Sequence, residues 1–179
     1  MKLPHASSND PLLFSTTLLL YLVGAFLLVA LTALTIALPS VAIFWREAAA
    51  QILKEYPGAK TNGLLPAIMA AIGLGGAMAL LALNFVRKLL QIIRTVAQGD
   101  PFDSANADRL QMMAWMSLAI QAVGVVLGGI AHWIARTIKE ANIHFEWEIT
   151  SIILILLLFI LARVFRRGAE MRSELEGTV

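Results

Sequence analysis

Between Asp10 and Arg46 the chain carries no charged residue. Within that interval Leu12–Leu38 forms one apolar run of 27 residues, and about 20 are enough to cross the hydrocarbon of a bilayer. A helix apolar on every side has no face to offer water, so this run belongs in lipid or in the centre of a large core. Ser40-Val41-Ala42 resembles a signal-peptidase site, but the apolar core of a signal peptide runs to only about 7–15 residues. The run is therefore expected to stay as an uncleaved first span.

Three further runs follow, at 64–86, 110–135 and 147–165. They explain why 59% of the 179 residues are hydrophobic and only 15% charged, against about 25% charged in a soluble domain. The expected fold is all-α: an integral membrane four-helix bundle forming a single transmembrane domain over 1–179. It carries a short cytoplasmic interfacial helix and a tail over 166–179. The fourth run has only Ile149–Ala162 free of charge and needs Arg163 to reach toward the headgroups. A loop over Pro39–Asn62 holds helix formers at Ala48–Glu55, stopped by Pro57-Gly58, and a second loop covers Arg136–Trp147. Ala67, Ala71, Gly75 and Ala79 form a small-residue stripe in the second span. Ser117, Gln121, Gly124, Gly128 and His132 share one face of the third. Small stripes let helix backbones approach closely, so these two faces are expected to pack on each other.

The connector 87–109 holds the strongest local signals. Leu89, Leu90, Ile92, Ile93 and Val96 recur at helical spacing. Gly99 suits the left-handed residue that closes a helix. Pro101 turns the chain, and Asp103 is placed to cap the next helix by accepting N–H bonds near Ala105 or Asn106. Phe102 is the one apolar residue at this corner.

With four spans, both termini and the connector share a side. That side holds nine Lys and Arg: Lys2, four in the connector, and Arg163, Arg166, Arg167 and Arg172. The other holds five: Arg46, Lys54, Lys60, Arg136 and Lys139. The positive-inside rule then puts both termini and the Gly99 corner in the cytoplasm. The basic residues lie within a few positions of the spans, where attraction to anionic headgroups is worth about 1 kcal/mol each. This makes lipid, not nucleic acid, their expected partner.

Reactive chemistry is sparse. The chain has no cysteine, no H-E-x-x-H, no nucleophile elbow and no phosphate loop. Gln121 and His132 are polar groups within a span, where a functional reading is the default. A glycine-lined face with an amide and a hydroxyl reads more simply as glue between helices. His144, Glu146 and Glu148 alternate with aromatics and form only a weak metal motif. Asp100, Asp103 and Asp108 do not fit a calcium loop. No cofactor, metal or catalytic group is expected. An enzyme is the least favoured class, because no nucleophile, base and orienter fall together.

Gly99-Asp100-Pro101-Phe102 with Asn106 resembles the G-x-P-F-x-x-x-N pattern of a bacterial membrane protein family of unknown function. Val164-Phe165-Arg166-Arg167-Gly168 and Leu175-Glu176-Gly177-Thr178-Val179 are similar to that family's ending. The resemblance implies four spans. It also implies pairing with a small Cro/CI-like helix-turn-helix regulator, since members are often encoded beside one. Phe102, Asn106 and the tail would then be a contact surface, with Gly168 read as a helix stop. Arg166 and Arg167 belong to the same candidate set. The rival reading is a small transporter or channel subunit, self-associating, with Gln121, Gly124, Gly128 and His132 along a path.

Overall fold

A computed structural model describes residues 11–56, 58, 61–139 and 149–176. Its five helices are α1 (Pro11–Ile43), α2 (Trp45–Glu55), α3 (Leu64–Ala97), α4 (Ser104–Lys139) and α5 (Ile149–Glu176). Among the described residues there is no strand. Three helices are long and apolar enough to cross a membrane: α1, α3 and α4.

The helices run further than the apolar segments that mark them. α1 continues through Pro39 to Ile43, where a loop was expected to begin. Pro39 removes one donor, and bonding resumes at once. Ser40 Oγ donates to the Ile36 carbonyl at 2.7 Å, and Phe44 N to the Ser40 carbonyl at 3.0 Å. α2 starts at Trp45, earlier than Ala48. The expected interfacial helix is not a separate element but the last third of α3. Arg87 and Lys88 are good helix formers, so the change from apolar to charged alters the surroundings of the helix and not its conformation. α4 likewise includes both the approach to the third apolar run and Arg136. α3, with 34 residues, is about 50 Å long, well beyond the roughly 30 Å of hydrocarbon.

α1 has no buried residue. Phe14 is 73% exposed and Val29 67%, the exposure expected of a helix whose solvent is lipid. Its Ser and Thr hydroxyls need no outside partner. Thr16 and Ser15 donate to the Leu12 carbonyl, Thr17 to Leu13, Thr32 to Val29 and Thr35 to Leu31. Such back-bonding is how Ser and Thr satisfy themselves inside a helix.

The described chain forms two compact units. One joins the first part of α1, the second part of α3, the first part of α4, and α5. Its core is Ile92, Leu110, Met113, Ala114, Leu158 and Ala162, surrounded by Phe85, Leu89, Val96 and Phe165. These come from α3, α4 and α5 at three- and four-residue spacing, so each helix presents one stripe to the others. α1 lies on α3 antiparallel: a Cβ at Gly24 would meet Val86 at 3.9 Å, and Arg94 Nη2 donates to the Tyr21 hydroxyl at 3.1 Å.

The other unit joins the second part of α1, α2, the first part of α3 and the second part of α4. Gly63 opens α3 at φ +85° under the Trp133 ring, 3.3 Å from where its Cβ would be. At Gly75 and Gly124 the expected contact between the α3 stripe and the α4 glycine face is not made. Gly75 faces Leu34 of α1 at 3.7 Å, whereas a Cβ at Gly124 would meet nothing within 4 Å.

Candidate functional site: the proline corner and the last helix

The corner between α3 and α4 is built by three local devices. Gly99 has φ +84°. Its N–H donates to Val96 O at 3.0 Å, while Asp100 N–H reaches Thr95 O at 3.0 Å. This is the Schellman pairing, which satisfies the carbonyls left open at a helix end. Asp103 Oδ1 accepts the Ala105 N–H at 2.9 Å, so the expected cap is present.

Asn106 ties the corner together. It is 0% exposed, and every polar atom of its amide is used. Nδ2 donates to Thr95 Oγ1 at 2.8 Å and to the Pro101 carbonyl at 3.0 Å. Oδ1 accepts from Arg109 Nη1 at 2.7 Å. Thr95 in turn donates its one proton to the Ile92 carbonyl at 2.8 Å. One side chain thus links the end of α3, the turn and the start of α4. A buried amide is tolerated only when satisfied in this way. Asn106 is therefore internal structure and not part of an exposed contact surface.

α5 closes over the corner. Phe102 stacks obliquely on Phe165, ring centroids 5.5 Å apart, and its edge lies on Gly168: a Cβ there would stand 2.5 Å from Phe102 Cδ1. Gly168 does not stop a helix, since α5 runs unbroken to Glu176. It is the gap into which Phe102 fits. Arg172, one turn further on, pairs with Asp100. Two residues before Gly168, Arg166 Nη2 donates to Asp108 Oδ1 at 3.1 Å and to Gln111 Oε1 at 2.7 Å. Sequence reasoning missed Tyr21, Gln111 and the Asp100–Arg172 pair. The one available signal was that Phe165, Gly168 and Arg172 fall on a single helical face.

Phe102 remains 42% exposed, and Met171, three residues beyond Gly168, is 59% exposed. Arg167, one residue before Gly168, is exposed as well. The other candidates are more dispersed. Ser117 Oγ bonds back to the Met113 carbonyl at 3.0 Å, and Gln121, Gly128 and His132 are half-buried. Among the described residues no group of three His, Cys, Asp or Glu is placed to hold a metal ion. His144, Glu146 and Glu148 lie outside the described residues.

The sequence model of a protein family of unknown function, DUF2975, matches residues 47–179, which includes the corner and α5 and leaves out α1. No curated protein and no solved structure matches the chain.

Proposed function

The chain belongs to the DUF2975 family, proteins of unknown function, and on that premise we propose a non-enzymatic, multi-pass protein of the bacterial inner membrane that works through protein contacts on its cytoplasmic face. In this reading α5 supplies the fourth crossing, and both termini lie with the corner in the cytoplasm. The excess of basic residues on that side supports the orientation.

One observation carries the contact role. Phe102 is packed from below by Phe165 and Gly168 yet leaves 42% of its surface open. On α5, exposed Met171 and Arg167 lie within three residues of Gly168, at the charged end of the helix. An apolar side chain held rigid among charges is the composition of an interface anchor. The proposed partner is a small helix-turn-helix regulator, held or released by this face. Co-purification of the full-length protein with a small Cro/CI-like helix-turn-helix regulator co-expressed with it tests this. Phe102→Ala and Met171→Ser should each weaken capture, and removal of residues 172–179 should abolish it. Unchanged capture in all three sinks the proposal.

The second reading, a transporter or channel subunit, draws on the open space beside Gly124. Solute flux in proteoliposomes that falls on Gly124→Leu would favour it over the first.

A further inference from the structure

α4 and α5 leave a cleft of about 330 Å³ between them, lined by Gln111, Phe159, Ala162, Arg163 and Arg166. Its chemistry is graded. At one end two guanidiniums stand three residues apart on α5, close enough to converge on one anion. Arg166 is held in place by Asp108 at 3.1 Å and Gln111 at 2.7 Å through the same nitrogen, Nη2, so its charge is offset and its orientation set. Arg163 makes no ion pair or hydrogen bond among the described residues, so the cleft keeps one uncancelled positive charge. At the other end the floor is apolar. Phe159 and Trp115 meet nearly perpendicular, ring centroids 5.4 Å apart, and Leu156 and Ile152 continue the exposed apolar surface one and two turns further along α5.

We propose that this cleft is a binding site for one anionic phospholipid, its headgroup phosphate between Arg163 and Arg166 and an acyl chain along Phe159, Leu156 and Ile152. The chemistry recognised is a phosphate without a covering cation. The adjoining apolar surface favours a lipid over a soluble phosphate, because a free ion would use only the arginine end. Arg166 is the positioned donor, and Arg163 supplies the uncompensated charge. The site rests on the reading above only in placing α5 in a membrane, and it needs no protein partner.

The test is thermal unfolding of the full-length protein in neutral detergent, with added phosphatidylglycerol or phosphatidylcholine. Ligand bound to the native state raises the unfolding temperature. Phosphatidylglycerol should raise it well above phosphatidylcholine. Arg163→Gln should lose at least half of that difference. Arg87→Gln, which removes an equal charge from an exposed position on α3 outside the cleft, should keep it. Equal losses in the two variants would mean diffuse surface attraction and overturn the site. So would an Arg163→Gln protein that responds like the wild type, or no preference between the lipids. Inorganic phosphate or glycerol 3-phosphate reproducing the full shift would assign the cleft to a soluble ligand and overturn the lipid. Failure of the membrane reading itself would show differently, as protein that stays folded and monodisperse without detergent.

Discussion

The Phe102 ring and the Gly168 backbone are in such close contact that a single added carbon at 168 would lie 2.5 Å from Cδ1 and 2.8 Å from Cε1. Gly168→Ala should therefore push the ring off α5. Overpacking of this kind costs about 1–3 kcal/mol, set against a gain of up to about 1 kcal/mol from replacing a mid-helix glycine. In a Phe102→Ala background only the gain remains, and Gly168→Ala should stabilise. A double-mutant cycle by unfolding in detergent measures the coupling. Equal effects of Gly168→Ala in both backgrounds would refute the contact.

Asn106→Leu keeps approximate volume and discards every hydrogen bond. The part-buried Pro101 carbonyl and Arg109 each lose a partner, and a group left buried and unsatisfied costs about 1–3 kcal/mol. The expected loss is at least about 2 kcal/mol, larger than that of Thr95→Val, which removes only one arm of the network. Denaturant midpoints of the two variants decide it, and a reversed order would show the amide to be peripheral.

The Asp100–Arg172 pair should matter little to global stability. Both side chains are nearly half exposed, and such pairs contribute about 0–1 kcal/mol. Asp100→Asn should leave the unfolding midpoint almost unmoved in 150 mM salt, roughly physiological ionic strength. A drop of several kcal/mol would reveal a role for this carboxylate beyond the ion pair.

The natural chain has no cysteine, so single-cysteine variants report topology directly. Gln98→Cys and Ser173→Cys should be labelled by a membrane-impermeant maleimide only in inside-out vesicles, and Asn62→Cys only in right-side-out ones. Labelling of positions 98 and 173 from opposite sides would remove the fourth crossing.

How far the sequence could be read depended on the range of each signal. The corner was legible because Gly99, Pro101 and Asp103 act on their own backbone neighbours. Helix lengths were misread at Arg87 and Arg166, where charge marks a change of surroundings that a helix passes through unaltered. Asn106 gave no sign of being buried, since a helix-start asparagine looks the same whether water or Thr95 receives its amide. Gly168 was taken for a stop because the residue that needs its missing side chain lies far away in the chain. Nothing local to the Gly75 stripe says that its neighbour is Leu34 of α1.

α1 offers its neighbours little more than shape, since its Ser and Thr hydroxyls are already bonded to its own carbonyls and it gives nothing to the α3–α4–α5 core. During synthesis it emerges before any helix that it will touch. It is suited to that wait: alone in the bilayer it leaves those hydroxyls satisfied, and it can dock on α3 after the rest has assembled. Of the five described helices, the one made first is thus free to be the latest to settle.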